Sequence, residues 1–248
     1  MSHFDPVAAN YDAYRPEYPA ELYDTIEGYA GPLVDQRVLD LAAGTGIATR
    51  ALTARGADVV ASDLGEEMVR VLRHRSPSAP AVVARGEALP FRAACFDLIT
   101  CATAWHWIDP DRSAAEAMRL LRSGGVLAVW WAFGGMAGSE DEEVAARERE
   151  VYARWQVGER GPIVNAANQT DPSEELPRHG FIDAALHQFA VERVVSVDAH
   201  VSHLLTHSPV FALGDDVAGL RADLTHIYDG RESVTEQLWC HVTLARRP

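Results

Sequence analysis

Residues 38–52 read VLDLAAGTGIATRAL, a β-branched and leucine-rich run that passes through two glycines into an alternation suited to a helix. Strand, glycine turn and helix in that order aim backbone N–H groups at a ligand. Outward from this stretch the pattern repeats. RVLDLA precedes a helical pattern at 47–55 and DVVASD one at 65–75; PAVVAR, FDLITCA with a helical pattern at 111–122, and GGVLAVWWAF follow. Strands apolar on both faces that alternate with helices make a parallel sheet covered on each side, so the expected class is α/β, doubly wound. Near the end, EQLWCHVTLARRP sets Leu238, Cys240, Val242 and Leu244 against Trp239, His241 and Thr243. With ALHQFAVERVV (185–195), this period of two predicts an antiparallel finish and a mixed sheet.

The chain has 248 residues, 48% hydrophobic and 23% charged, which suits one globular domain over 1–248. Residues 1–35 are expected to form an N-terminal helical cover, and 136–180 a helical and irregular insertion. Within it, SEDEEVAAREREVYARWQ (139–156) predicts a helix with acids first and bases later. Residues 158–180, rich in Gly, Pro, Asn and Asp, read either as a lid or as a plain surface connection. The start has neither a basic nor an apolar signal-like region, and no apolar run approaches membrane-spanning length, so a cytoplasmic protein without a membrane partner is expected. A net charge of −14 repels a phosphate backbone, which excludes sequence-independent nucleic-acid binding and favours a small-molecule partner. The oligomeric expectation is a monomer or homodimer. Cys95, Cys101 and Cys240 are odd in number and lack a CxxC pair; buried core positions are expected for them, with no metal. His200, His203 and His207 fall at helical spacing without an accompanying carboxylate or cysteine pattern, which reads as a solvated helix face.

Three ligands compete for the glycine turn. A P-loop needs GxxxxGK[ST], which the chain lacks. A dinucleotide site wants GxGxxG, and Gly44, Gly46 and Thr49 supply two of its three glycines. Asp40, four residues before Gly44, decides between the remaining readings: a carboxylate aimed into the crevice repels a pyrophosphate and attracts the α-ammonium of a methionine moiety. The spacing therefore favours S-adenosylmethionine (SAM). Asp63, at the end of DVVASD, can accept both hydroxyls of a ribose in either reading. Each Asp alone also suits a helix N-cap, but two in succession around a glycine turn favour binding.

VLDLAAGTG, VVASDLGEEMVRVLR, ARGEALPF, FDLITCATAWHWIDPD and RLLRSGGVLAVWW resemble, in order and spacing, the successive motifs of class I SAM-dependent methyltransferases. More narrowly, FDPVAANYDAYRPEYP, TAWHW and VTLARRP resemble the small-molecule branch that includes trans-aconitate methyltransferase-like enzymes. The resemblance implies a Rossmann-like, mostly parallel seven-stranded sheet whose last strand is antiparallel. It also implies SAM at the C-terminal edge of the first, second and fourth strands. Carried onto matching positions, Asp40, Ala42, Gly44 and Gly46 would surround the methionine part, with Ala102 after the fourth strand. Asp63 would meet the ribose, the segment Arg85, Gly86 and Glu87 the adenine, and Met68 either the adenine or the core, with Leu64 a further cofactor-binding candidate. Ala42 replaces a glycine common in the family, and Arg85 stands where many members have an acid, which leaves adenine recognition to other groups.

Methyl transfer from a sulfonium depends chiefly on alignment and exclusion of water, with a base needed for some acceptors only. His106, between Trp105 and Trp107 after the fourth strand, is the candidate base; a packed aromatic cluster is the alternative for the same residues. YDAYRPEYP offers Tyr11, Tyr14 and Tyr18 as pocket walls and Arg15 as a partner for a carboxylate of SAM or of the acceptor, or else is an ordinary terminal helix. Trp130 and Trp131 must point to opposite faces, with Trp131 taken as the acceptor-side candidate. The expected function is methyl transfer from SAM to a small molecule at oxygen, nitrogen or carbon. The alternatives are a different reaction on the same scaffold, a non-catalytic SAM-binding subunit and, last, an NAD-dependent oxidoreductase.

Overall fold

In a computed structural model, residues 8–133, 142–157, 172–207, 210, 213–214 and 216–248 are described. Seven strands form one sheet: β1 (Arg37–Leu41), β2 (Asp58–Asp63), β3 (Ala81–Val83), β4 (Phe96–Ala102), β5 (Leu121–Phe133), β6 (Ile182–Ser196) and β7 (Ser233–Arg246). Their spatial order is β3-β2-β1-β4-β5-β7-β6. β3, β2, β1, β4 and β5 run parallel, while β7 is antiparallel to both β5 and β6, as the period-two reading of the C-terminal segment requires. The order reverses between β1 and β4, and that switch point opens a crevice outside their carboxyl ends.

Alternation within the buried strands divides the core into two layers. Leu39, Ile99, Leu127 and Val129 face the helix α5 (Pro110–Leu120), whose Ala114, Ala117 and Leu120 cover them. Val38, Leu98, Val126 and Ala128 face Leu22, Tyr23 and Ile26 of α2 (Ala20–Ala30) and Leu52 of α3 (Ile47–Ala54). The two neighbouring tryptophans split as alternation demands. Trp130 packs edge-on against Tyr18 and Tyr23 at 5.5 and 6.3 Å, and Trp131 joins the opposite layer. α5 starts cleanly because Pro110 occupies its first turn and the Asp109 side chain accepts from the Arg112 N–H. The remaining crossover helix, α4 (Glu66–Arg75), lies beside β2 and β3.

A third apolar cluster joins α6 (Glu142–Arg154), α8 (Val197–Leu204) and α9 (Val217–Ile227) through Val144, Val151, Val201, Leu204, Leu220 and Leu224. α6 fulfils the helix expected at 139–156. Of the possible lid, residues 158–171 lie outside those described, and 172–179 form the short α7 (Pro172–Glu175) and a 3-10 turn. The N-terminal cover expected over 1–35 includes α1 (Ala8–Tyr14) and α2.

The solvated face expected for the histidines of α8 is overturned. His200 and His203 are buried and His207 is half-buried. His200 sits between two glutamates that, like itself, are 1% exposed: Nδ1 lies 2.5 Å from Glu236 Oε1, and Nε2 3.0 Å from Glu148 Oε1. The Tyr228 hydroxyl donates to the same Glu148 oxygen at 2.5 Å, and Arg193 Nε donates to Glu236 Oε2 at 2.6 Å. Burial alone would lower the His200 pKa, but its bonds to Glu148 and Glu236 outweigh it and raise the pKa to about 9. Burial raises the Glu236 pKa, and its bonds with His200 and His203 reverse that, leaving it well below the usual carboxylate range. The cluster ties α6, α8 and the end of α9 to β6 and β7.

Cys101 and Cys240 are buried as expected, while Cys95 is half-buried. Among the described residues no His, Cys, Asp and Glu group suits a metal ion, and no helix is long and apolar enough to cross a membrane.

Candidate functional site

The chain leaves β1 through a bend in which Ala42, Gly44 and Gly46 adopt φ values of +52°, +57° and +86°. Gly46 is required twice over. Its φ is strained for any residue with a Cβ, and a Cβ there would lie 2.8 Å from Leu72 Cγ on α4. Gly46→Ala is therefore expected to lower unfolding free energy by about 2 kcal/mol in urea titrations, partly restored by Leu72→Ala. At Ala42 the cost is conformational, because alanine is held in the left-handed region. Thr103, just after β4 across the switch point, carries the same strain at +52°. Two such residues facing one crevice mark it as a site where the surrounding structure dictates backbone shape.

Asp63, at the end of β2, clamps the bend. Its Oδ2 accepts from the Gly44 N–H at 2.8 Å and its Oδ1 from the Gly65 N–H at 2.7 Å. A carboxylate has about four acceptor positions, the chemistry that a diol's two donors call for.

The bend closes one side of a cavity of ≈ 220 Å³. Ala42, Gly44, Asp63, Leu64, Met68 and Ala102 line it, and so do Tyr11 and Trp107 from the opposite wall. A smaller lobe of ≈ 80 Å³ shares Ala42, Asp63, Leu64 and Trp107 and is completed by Arg85, Gly86, Glu87 and Ile108. Glu87 is held there by accepting from the Asp109 N–H at 3.0 Å. Leu64 and Trp107, 46% and 45% exposed, give both lobes an apolar rim.

Other expected positions fall outside both lobes. Asp40 does not aim its carboxylate into the crevice: it is 0% exposed, receives the Thr49 hydroxyl at 2.5 Å and receives the Thr100 hydroxyl at 3.0 Å. Burial raises its pKa to about 6, against the lowering effect of those two hydroxyls. The electrostatic argument that rested on it thus has to be remade elsewhere. Gly46 packs on α4 instead of lining the cavity. Arg15 turns away, with Nη2 donating to the Thr206 carbonyl at 3.2 Å and its guanidinium 5.0 Å over the Tyr11 ring, which it steadies. Tyr14 is half-buried and lines neither lobe. Trp105 is buried in the α5-side core. Trp131 is buried on the same side and donates its indole N–H to His106 Nδ1 at 3.1 Å. His106 is half-buried and lines neither lobe, its ring lies 5.1 Å from that of Trp107, and burial lowers its pKa to about 4.

The cavity also gathers groups outside the expected set, above all Thr103 and Ile108, and Tyr18 lines it too. The Tyr18 and Thr103 hydroxyls lie 3.2 Å apart, and burial pushes the Tyr18 phenol well above its ordinary pKa. A residue's proximity to the end of β4 was the one sequence signal for Thr103; its left-handed backbone left no trace in the residue type.

Residues 39–129 match the family model of a methyltransferase domain. An uncharacterized methyltransferase of Mycobacterium tuberculosis is 41% identical over 128 residues, which cover 52% of this chain and 51% of the relative. A demethylmenaquinone methyltransferase of Renibacterium salmoninarum is 32% identical over 137 residues, 50% of this chain and 58% of the relative. The chain spans about half the length of these curated relatives. A solved structure from Anaeromyxobacter dehalogenans, assigned as a type II methyltransferase, superposes with a TM-score of 0.70 at 23% identity, covering 94% of this chain and 98% of the other. The fold, with its antiparallel β7, is the Rossmann-like class I methyltransferase fold.

Proposed function

We propose that this chain, with a methyltransferase domain on residues 39–129, transfers the methyl group of SAM to a neutral, largely apolar small molecule. One observation carries the reading. The larger lobe presents the Asp63 carboxylate, and none of its described lining residues is basic. A diphosphate placed against Asp63 would meet a like charge, whereas a sulfonium and an ammonium gain from the same field. The argument first attached to Asp40 thus passes to Asp63.

The residues present fit SAM. The Asp63 carboxylate is the acceptor type that ribose hydroxyls need, the bend lets backbone approach closely, and the smaller lobe with Gly86 and Glu87 suits a flat base under the Leu64 and Trp107 rim. Bound SAM supplies an electrophilic methyl on sulfur. The chain's contribution is to orient and to exclude water: Tyr11, Tyr18, Ala102 and Ala104 wall the larger lobe with surfaces that reward an apolar acceptor.

The finer likeness to trans-aconitate methyltransferase-like enzymes would call for a carboxylated acceptor. Arg15, the residue that would have met its carboxylates, lines neither lobe, so a neutral acceptor is favoured. Calorimetric titration is expected to give micromolar or tighter binding of SAM and none of NAD. Incubation with methyl-labelled SAM and a panel of neutral aromatic and aliphatic compounds is expected to move label to at least one. Tight NAD binding without SAM binding would refute the cofactor, and product formed while all label stays on SAM would refute the transfer.

A further inference from the structure

His106 entered as a candidate base, but the hydrogen bond on its ring argues for the opposite chemistry. An indole N–H can only donate, and the Trp131 N–H points at His106 Nδ1 at 3.1 Å, so Nδ1 is the accepting nitrogen. A neutral imidazole accepts at one nitrogen and carries its proton on the other. His106 is therefore held as the Nε2–H tautomer, and among the described residues Nε2 has no partner. Burial lowers the pKa of the ring to about 4, which keeps it neutral across the physiological range. The ring lies nearly parallel to that of Trp131, at 29° with centroids 6.4 Å apart, and against that of Trp107, which walls both lobes. His106 itself lines neither lobe, but Ala104, Trp107 and Ile108 on either side of it line the larger one, so its ring is packed against a residue of the cavity wall.

We propose that Trp131 is a positioning residue which fixes His106 as a hydrogen-bond donor, and that His106 thereby selects methyl acceptors bearing an accepting oxygen of carbonyl type. The proposal rests on the methyl-transfer reading for the word acceptor, while the tautomer stands apart from it. A ring whose accessible nitrogen already holds a proton cannot take another from a substrate there. It can orient a carbonyl, and it strengthens its bond as negative charge develops on that oxygen. The site then favours acceptors whose nucleophilic atom is conjugated to that oxygen or is the oxygen itself, with no base required from this residue.

Nitrogen-15 NMR of histidine-labelled protein saturated with S-adenosylhomocysteine reads the tautomer directly, His106 being assigned from its loss in His106→Gln. The expected result is an unprotonated Nδ1 and a protonated Nε2 from pH 5.5 to 8.5, with the preference relaxed in Trp131→Phe. Acetophenone and ethylbenzene, of similar shape but differing in the oxygen, serve as probes. Acetophenone is expected to shift the Nε2 resonance and to bind about tenfold tighter than ethylbenzene, the scale of one hydrogen bond. That preference should persist in His106→Gln, whose amide still donates, and vanish in His106→Phe. A protonated Nδ1, equal or absent binding of the two probes, or a preference that survives His106→Phe overturns the proposal. Should His106→Phe fail to fold, the Gln variant and Trp131→Phe still decide, because loss of the preference in the former or its full retention in the latter is equally fatal. Failure of the methyl-transfer reading is seen separately, as absent binding of S-adenosylhomocysteine by calorimetry with the tautomer intact.

Discussion

His200→Ala is expected to cost about 3–5 kcal/mol of folding stability, measured by urea unfolding at pH 6.5, because it leaves the buried Glu148 without its cation and the buried Glu236 with Arg193 alone. The effect should exceed that of deleting any exposed ion pair, such as Arg70 with Glu67, which is worth about 0–1 kcal/mol. Stability should also follow pH in a defined way. His200 has a folded pKa raised to about 9 against an ordinary value of 6.5, so its contribution is complete below about 6.5 and is lost as pH rises through 9. Glu236 has a lowered folded pKa, so its contribution is present above the ordinary carboxylate value and is lost as pH falls below it. The His200 contribution should therefore fall by roughly 3 kcal/mol between pH 6.5 and 10, so the wild-type curve should decline by about that much more than the His200→Ala curve. A variant whose alkaline decline matches that of wild type would place the titrating group elsewhere.

Asp63→Ala is the second large effect, this time on the ligand. The carboxylate holds the Gly44 and Gly65 N–H groups and is the acidic side chain common to both lobes. Its loss removes a diol partner and releases the bend that shapes the cavity. Charge-assisted hydrogen bonds contribute about 1.5–3 kcal/mol each, so a loss of about 100-fold in SAM affinity is expected by calorimetry. Asp63→Asn should fall between, because an amide keeps one acceptor oxygen but not the charge. Unchanged SAM affinity in Asp63→Ala would remove the residue from the site.

The layered sheet was readable because buried parallel strands leave runs such as VLDL and DLITCA that are apolar on both faces, and because Leu238 to Leu244 alternate cleanly. Asp63 was readable because it ends a strand next to the glycine turn, and one of its oxygens accepts from the Gly44 N–H of that turn. Asp40 misled for a reason no local pattern reveals. The hydroxyls that hold it come from Thr49 and Thr100, 9 and 60 residues away, and they draw it inward. The α8 histidines misled similarly, since the carboxylates that justify their burial lie 52 and 36 residues from His200. Trp131 and His106, 25 residues apart, were each noticed, but only the register of β5 beside the end of β4 makes one govern the proton of the other.

The first helix carries one more implication. α1 sends Tyr11 into the cavity wall and, one turn on, Arg15 onto the carbonyl of Thr206 beyond the end of α8. A ligand gripped by Tyr11 therefore adds its binding free energy to whatever opposes the parting of α1 from α8, and by reciprocity loosening that seam must weaken the ligand's hold. Residence time in the crevice would then be set as much by how often this seam breathes as by any contact inside it.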